Sequence, residues 1–432
     1  MTKRPTKYPT MPLSVFLIIA VVAGFSSCGI LGSDDNERKL LNVTPVSAVE
    51  AFLEVRAFPG AEISVERDGE EIYSFRMNRA DTLLTDSGLQ PATDYRWTAE
   101  TKNGFNRTET RRAATLDTTS GDFMWETFSF GDHSSSVLHG VSIIDENNIW
   151  AVGEIYMNDS TGQADSDAYN AAHWDGNNWE LKKLQFYTFC NQPNTGSYPA
   201  TSVTAFSDDD IWISSASQIT RFNGIEQKVI NCIPASTNKI WGIDTSRVFA
   251  VGSNGSIAHY NGQSWQKIET GTDLDVYDIH GNEEQGVVAV AAKFLVSHNN
   301  LMVRITEGGH TEPLSTEGIP YSIHGLWVDP SGPAYIVGSG IYRKPNVGIP
   351  LPWKSIHEEI TNNYMFAIDA NDLNDIAIAG AFGEVLHFNG AQWRSFHQQI
   401  SGTLYDVIIS GDVITAIGYD GRRGFISIGR RE

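Results

Sequence analysis

A short pattern of apolar strands and glycine turns recurs through most of this chain and constrains its fold more than any other feature. One copy runs Val248-Phe-Ala-Val-Gly, then Ile257-Ala-His-Tyr-Asn-Gly and Trp265. Asn-Gly and Asp-Gly pairs accept the positive φ angles of a tight hairpin turn. The pattern therefore predicts short antiparallel strands joined by hairpins. Further copies end in His173-Trp-Asp-Gly-Asn-Asn-Trp179 and His387-Phe-Asn-Gly-Ala-Gln-Trp393.

The spacing of these turns predicts the architecture. A repeat of roughly 40 residues made of four short strands, a to d, is typical of a β-propeller blade. The count gives an all-β fold with a seven-bladed propeller, or six or eight blades if a weak repeat is misread. The turns expected before each outermost strand d are at Asp175, Asn223, Asn261, Asn299, Asn346 and Asn389.

The last repeat lacks its outermost strand. Tyr405 lies in its strand a and Gly424 opens its strand c, after which the chain ends without a tryptophan-bearing strand d. A matching segment, Phe123-Met-Trp-Glu-Thr-Phe, precedes the first repeat. A ring must cover its final edge strand. We therefore expect Trp125 to lie in the blade that contains Tyr405.

The N-terminus has the pattern of an export signal. Lys3, Arg4 and Lys7 precede a short apolar run, followed by Ser26-Ser-Cys28. This order predicts a secretory signal peptide over residues 1–27. The small residues before Cys28 resemble a bacterial lipobox, although Phe25 stands where that motif usually has Leu. The resemblance implies lipidation of Cys28 and a tether over residues 28–39; an ordinary signal peptide with an incidental cysteine is the alternative.

Residues 40–118 have a different pattern from the repeats. They alternate in the manner of β-strands and include Leu89-Gln-Pro-Ala-Thr-Asp-Tyr95. This segment resembles the tyrosine corner of fibronectin type III domains, with Tyr95 as the corner residue. The resemblance implies a small β-sandwich that acts as a spacer or adhesive unit. Thr118-Thr-Ser-Gly121 is expected to be a hinge into a propeller over residues 121–432.

The order of signal, tether, sandwich and propeller resembles surface lipoproteins of the Bacteroidota type, over essentially the whole chain. The resemblance implies a bacterial outer membrane location, with a lipid anchor and possible exposure at the cell surface. Members of such families generally have no known biochemical activity. The resemblance therefore favours a non-catalytic protein without a cofactor.

Three cysteines fit this location. If Cys28 carries lipid, Cys190 and Cys232 remain as a pair in an oxidising compartment. Both are expected at the same rim of adjacent blades, so a disulfide is predicted, with two buried free thiols as the alternative. Two cysteines without nearby histidines are a weak zinc signal.

The charge of the chain narrows its partners. It has 31 basic and 52 acidic residues, for a net charge of −21. A strongly acidic chain repels nucleic acid, so no nucleic-acid partner is expected. Acidic runs such as Asp208-Asp-Asp210 fall in predicted a–b turns, where turn formation explains them better than calcium binding.

Histidines recur on the predicted innermost strands. His139, His280 and His324 each precede a glycine, at a position where other blades have Trp241 and Phe366. Three imidazoles around one channel could hold a metal ion. The aromatic residues at the same position favour packing instead, so no metal site is predicted.

The first blade differs from the others by two long loops. Long loops on a rigid scaffold often bind ligands. Their aromatic, acidic and amide side chains could stack on sugar rings and hydrogen-bond hydroxyl groups, or the loops could merely cover the propeller. The predicted ligand-binding residues are Tyr156, Asp165, Asp167, Tyr169, Tyr187, Phe189, Asn191 and Tyr198.

These features lead to a functional hypothesis with two alternatives. The favoured function is a cell-envelope lipoprotein whose loop face binds a glycan or a protein. The first alternative is a carbohydrate-active enzyme of the glycoside hydrolase or glucosyltransferase type, built on a propeller. The second is a structural assembly factor of the outer membrane.

The lipid anchor can be tested with one substitution. Cys28→Ser should release the chain into the soluble fraction, because the thiol is the acceptor of the lipid. Fractionation and mass spectrometry of the mature N-terminus provide the measurement. A variant that still sediments with membranes, together with a wild-type chain lacking lipid, would exclude this anchor.

Overall fold

The structure is a computed structural model that describes residues 39–103, 106–228, 230–306, 308–397 and 401–432. The predicted signal peptide, Cys28 and nearly all of the tether lie outside these residues. The described chain is built of strands, with one short 3-10 helix at His357–Glu359. Among its helices, none is long and apolar enough to cross a membrane.

The first seven strands form two facing sheets with a shared core. One sheet has the order β1-β2-β5 and the other β4-β3-β6-β7. Leu53 and Val55 of the first sheet pack with Ile63, Val65 and Trp97 of the second. The strands are β1 (Leu41–Pro45), β2 (Glu50–Arg56), β3 (Glu62–Arg67), β4 (Glu70–Arg76), β5 (Asp81–Ser87), β6 (Asp94–Thr101) and β7 (Thr108–Ala114).

The tyrosine predicted at the corner of this sandwich is hydrogen-bonded to the backbone. The backbone N–H of Gln90 donates to the Tyr95 hydroxyl over 2.9 Å. The Trp97 indole N–H donates to Asp86 over 2.7 Å, which satisfies its polar atom inside the core. Membership of the fibronectin type III family stays a prediction.

The remaining strands form four-stranded antiparallel sheets, which we number as blades in chain order. Blade 1 comprises β9 (Val137–Asp145), β10 (Asn148–Ile155), β11 (Tyr169–Trp174) and β12 (Trp179–Lys182). Blade 2 comprises β15 (Ser202–Ser207), β16 (Asp210–Ser215), β17 (Gln218–Phe222) and β18 (Asn231–Cys232). Blade 3 comprises β19 (Lys239–Asp244), β20 (Arg247–Val251), β21 (Ile257–Tyr260) and β22 (Trp265–Ile268). Strands β13 (Phe186–Tyr187) and β14 (Thr195–Gly196) form a separate hairpin after blade 1.

Blades 4 to 7 follow the same a-to-d order. Blade 4 comprises β23 (Asp275–Asn282), β24 (Gly286–Ala292), β25 (Asn300–Ile305) and β26 (Thr311–Leu314), and blade 5 comprises β27 (Ile323–Val328), β28 (Ala334–Gly338), β29 (Ile341–Lys344) and β30 (Lys354–Ser355). Blade 6 comprises β31 (Met365–Asp372), β32 (Asp375–Gly380), β33 (Glu384–Phe388) and β34 (Trp393–His397). Blade 7 comprises β35 (Thr403–Ser410), β36 (Val413–Tyr419), β37 (Gly424–Arg431) and β8 (Phe123–Phe130). The all-β propeller fold is thus confirmed.

The ring closes where the sequence places the borrowed strand. Strand β8 pairs antiparallel with β37, and Trp125 lies opposite Gly429. The inner strands of neighbouring blades contact one another in order, and β35 contacts β9 to complete the circle. One predicted turn is wrong: Asn299 precedes strand c of blade 4, and the c–d turn of that blade follows Ile305. The Asn-Asn pair there is a weak turn signal. Because the strands on both sides of it are apolar, the sequence did not show which two strands this turn joins.

Side chains of adjacent blades interlock between the sheets. Trp150 of blade 1, for example, packs with Val203 and Ile213 of blade 2. Tryptophans at repeated positions of the blades lie in these layers, with Trp150, Trp174 and Trp212 buried. Burial of such large side chains is the main favourable term that holds one blade against the next.

The segment between the sandwich and the propeller is held by hydrogen bonds. The Thr119 hydroxyl donates to the backbone oxygen of Asn374, and Arg431 donates to that of Ser120. Gly390 has φ +91°, and a Cβ there would lie 2.8 Å from the Cβ of Asn374, so only glycine fits. These contacts fix the segment that the sequence predicts to be a hinge.

Removal of the borrowed strand should disrupt the ring. Deletion of residues 122–130 exposes the edge of β37, so we expect aggregation or loss of cooperative unfolding. Size-exclusion chromatography and urea unfolding measure both effects. Met124→Ala, which changes an exposed side chain of the same strand, is the control and should behave as wild type. A deletion variant that unfolds like wild type would contradict ring closure by β8.

Candidate functional site

The long d–a loop that follows strand β12 of blade 1 is joined to blade 2 by the predicted disulfide. Cys190, in the β13–β14 hairpin, is bonded to Cys232 at the end of β18, with the two Cα atoms 5.8 Å apart. The backbone of Tyr187 also makes two hydrogen bonds with the side-chain amide of Gln218, of 2.8 and 2.9 Å. The hairpin is therefore fixed to its neighbour on two sides.

A buried amide joins the two loops to each other. The Asn170 side chain donates to the backbone oxygens of Leu184 and Tyr198, each over 2.8 Å. The hydroxyl of Ser197 donates to the backbone oxygen of Ala168. These bonds hold the two loops against each other and against β11.

The predicted ligand-binding side chains lie in or beside these loops, and several of them are engaged in internal contacts. Tyr156 donates to Glu154, which raises the pKa of its phenol to about 12 together with burial. Lys183 binds Asp165 over 2.6 Å and lies over the Tyr169 ring. Phe189 is 73% exposed. No ring contact links two of the five aromatic residues within the described chain. Their role in binding stays a prediction.

A cavity of about 380 Å³ lies instead at the mouth of the central channel. Thr201 and Asn238, in d–a connections, and Ser253, in a b–c connection, line it. The cavity therefore opens on the same face as the long loops of blade 1.

β-bulges direct a ring into this cavity from successive blades. In blades 4, 5, 6, 7 and 1, one residue near the start of strand a is skipped in the pairing with strand b. A bulge re-aims the side chain of the extra residue. The residues skipped are Tyr277, His324, Phe366, Tyr405 and His139, and all five line the cavity.

These five side chains form a continuous arc, which we call the ring arc. Tyr277 and His324 stack with centroids 4.4 Å apart. His324 to Phe366 is 5.0 Å, Phe366 to Tyr405 is 5.4 Å, and Tyr405 to His139 is 5.9 Å. Stacked, edge-to-face and tilted pairs all occur in the arc, and these are favourable geometries for aromatic contacts. The arc leaves blades 2 and 3 as the polar side of the mouth.

The predicted equivalence of the histidines is only partly correct. His139 and His324 occupy the bulge position together with Phe366, but His280 and Trp241 lie deeper, where their rings are 5.3 Å apart. The His-Gly dipeptide shared by the three strands obscured this difference, because in blade 4 the bulge residue is Tyr277 and His280 lies further along the strand. Burial lowers the pKa of His280 to about 3 and that of His324 to about 4. In the described chain no three His, Cys, Asp or Glu residues are arranged to hold a metal ion.

An ion pair crosses the channel beneath the ring arc. Lys239 of blade 3 donates to Asp406 of blade 7 over 3.0 Å, although these blades are not neighbours. Burial opposes the ammonium charge, but Asp406 and Asp278 outweigh this and raise the pKa of Lys239. Burial raises the pKa of Asp278 to about 6 and that of Asp369 to about 7. Several carboxylates thus surround one cation.

These carboxylates accept hydrogen bonds from the backbone of neighbouring blades. Asp406 accepts the backbone N–H of Val141 in the next blade over 3.1 Å. Asp278 accepts that of Leu326, and Asp369 that of Ile409, each over 2.9 Å. Sequence analysis missed this cluster, yet a signal exists: Tyr277-Asp278 and Tyr405-Asp406 are the same dipeptide at the same place in strand a.

Apolar side chains surround the mouth on blades 4 to 6, and we call them the apolar rim. They lie in the b–c connections of blades 4 and 6 and the d–a connection before blade 5. Phe294 joins the rim to the ring arc, because its ring is 6.2 Å from that of Phe366. The rim consists of Phe294, Leu295, Val296, Tyr321 and Phe382, all exposed.

Comparison with known proteins supports the fold. No protein-family model and no curated protein match the chain. A structure described as YCF48 bound to D1 peptide is 17% identical, with a TM-score of 0.52, and the match covers 73% of this chain and 100% of that one. Virginiamycin B lyase from Staphylococcus aureus is 14% identical, with a TM-score of 0.53, and the match covers 72% and 100%. At these identities the likeness shows a shared propeller fold alone.

The cross-channel ion pair gives a pH-dependent prediction. Lys239→Met should lower the free energy of unfolding by about 3 kcal/mol near pH 8, because it leaves buried carboxylates without a cation. The raised pKa values mean that the folded protein takes up protons on Asp278 and Asp369 as the pH falls, so the loss should shrink at about pH 5.

Urea unfolding at the two pH values measures this effect. Lys267→Met is the control, since Lys267 pairs with Glu269 on the surface and its side chain is 52% exposed. This variant should lose little at either pH. An equal loss at both pH values for Lys239→Met would show that charge compensation is not its role.

Proposed function

We propose that this chain is a lipid-anchored protein of the cell envelope that binds a polypeptide partner through the channel mouth and the apolar rim. The observation that carries the binding role is the rim itself. Contiguous exposed apolar groups are uncommon on monomeric proteins and often mark interaction sites. The lipid anchor rests on the residues around Cys28 alone.

The backbone at the rim strengthens this proposal. Leu295 and Phe382 are each 65% exposed, and both have positive φ angles, of 56° and 58°. Glycine or asparagine is the ordinary residue at such positions, because a larger side chain is strained there. Two bulky apolar side chains are thus kept where both exposure and conformation disfavour them. A binding role accounts for that combination.

The composition of the rim favours a polypeptide over a glycan. Phe294, Leu295 and Val296 offer an aliphatic and aromatic surface with few hydrogen-bonding groups, which suits apolar side chains. The fold is compatible with such a role, because the similar YCF48 structure is described as bound to a peptide. That likeness extends to the fold only.

A catalytic role receives less support at this site. The channel carboxylates accept backbone N–H groups of adjacent blades. A glycoside hydrolase needs a carboxyl pair free to act as acid and as nucleophile or base. These carboxylates are committed to the junctions between blades, so we place binding before hydrolysis.

Site-specific photocrosslinking in the native cells tests the proposal. A photoreactive phenylalanine at Phe382 should form covalent adducts with a polypeptide partner. The matched control is Ile225, which is 88% exposed but lies in a c–d turn at the outer edge. Adducts at 382 that disappear with Leu295→Ser support the proposal. Equal adducts at both positions, or binding to a glycan array that depends on Tyr405, would overturn it.

A further inference from the structure

The ring arc and the carboxylates below it form one chemical environment at the channel mouth. Tyr277, Phe366 and Tyr405 present aromatic rings to the cavity, which Asp275, Asp278 and Asp406 also line. The face of an aromatic ring attracts cations through its quadrupole. Carboxylates attract them by charge, and more strongly in an enclosed site than in bulk water.

The charge balance decides which sign of ligand this cavity accepts. Lys239 is the cation among the described lining residues, and it is already paired with Asp406 over 3.0 Å. Asp275 and Asp278 line the same cavity, and Asp369 lies close enough to influence Lys239 electrostatically. The carboxylates outnumber the ammonium, so a second cation is favoured over an anion.

The ring arc adds no positive charge of its own. His324 stacks on Tyr277 and uses its Nδ1 atom to donate to the backbone oxygen of Phe366 over 2.7 Å. Because burial lowers its pKa to about 4, this ring is neutral near physiological pH. A neutral imidazole in the arc does not repel an entering cation.

We propose that the channel mouth receives a cationic side chain, a lysine ammonium or an arginine guanidinium, from the bound polypeptide. The ring arc encloses the side chain, and Asp275 and Asp278 face its charge, while the apolar rim holds neighbouring residues of the partner. This inference rests on the proposed function, for which it names the group that is recognised.

The experiment uses the full chain on an array of random-sequence peptides with acetylated N-termini. Peptides bound in a manner that depends on the apolar rim should be enriched in Lys or Arg. Replacing that residue by norleucine, which has a similar length but no charge, should weaken binding roughly tenfold. Asp275→Asn and Tyr405→Leu should weaken binding of the cationic peptide roughly fivefold, but not that of its norleucine form.

The control variant changes a carboxylate elsewhere. Glu146→Gln removes one negative charge from the exposed a–b turn of blade 1 and should leave peptide binding unchanged. Peptides that bind without enrichment of Lys or Arg would exclude a pocket for a cationic side chain. The same conclusion would follow if Glu146→Gln weakened binding as much as Asp275→Asn. In both cases the proposal of polypeptide binding would stand. If no peptide binds through the rim, the proposed function itself fails.

Discussion

The inner edge of each blade is the constraint on which the propeller depends. Strand a has no partner within its own sheet on the side of the channel, so its N–H and C=O groups need other partners. At each of the seven junctions between described blades, a side chain from one inner strand, or from the residue just before it, bonds to the backbone of the next. The pairs are Ser142–Ala205, Ser202–Ile240, Asn238–Val276, Asp278–Leu326, His324–Phe366, Asp369–Ile409 and Asp406–Val141.

These junctions explain the charge inside the channel. A carboxylate accepts backbone N–H groups well, but placing several of them in a narrow channel carries a desolvation cost. Lys239 offsets part of that cost by crossing to Asp406. The bulges connect these channel carboxylates to the residues that line the mouth. In blades 4 and 7 the extra residue turns a tyrosine into the cavity, and the next residue, Asp278 or Asp406, reaches the neighbouring blade.

Sequence patterns predict the elements that repeat along this chain. They do not predict the sites that form where residues from several repeats meet. The turn at Asn261 and the borrowed strand at Trp125 follow from local rules of turns and edges, and both occur where predicted, although Gly262 and not Asn261 takes the positive φ. The Cys190–Cys232 bond follows from the blade spacing. The channel mouth does not, because its residues come from strands far apart in the chain. A bulge also changes which side chain faces the channel without changing the pattern of apolar residues.

The blade 1 loops and the b–c connection of blade 6 hold their side chains in different ways. A long loop has many backbone and side-chain polar groups that must be satisfied, and Asn170 of β11 and Gln218 of β17 bond to several of them. The b–c connection of blade 6 is far shorter, with Phe382 between two paired strands. A side chain on such a turn is held in place by the sheet, so little conformational entropy is lost when a partner covers it. A short turn on rigid strands therefore presents an apolar group at a low entropic cost, as with Phe382 at 65% exposure, whereas Leu295 at 65% and Phe189 at 73% lie in longer connections.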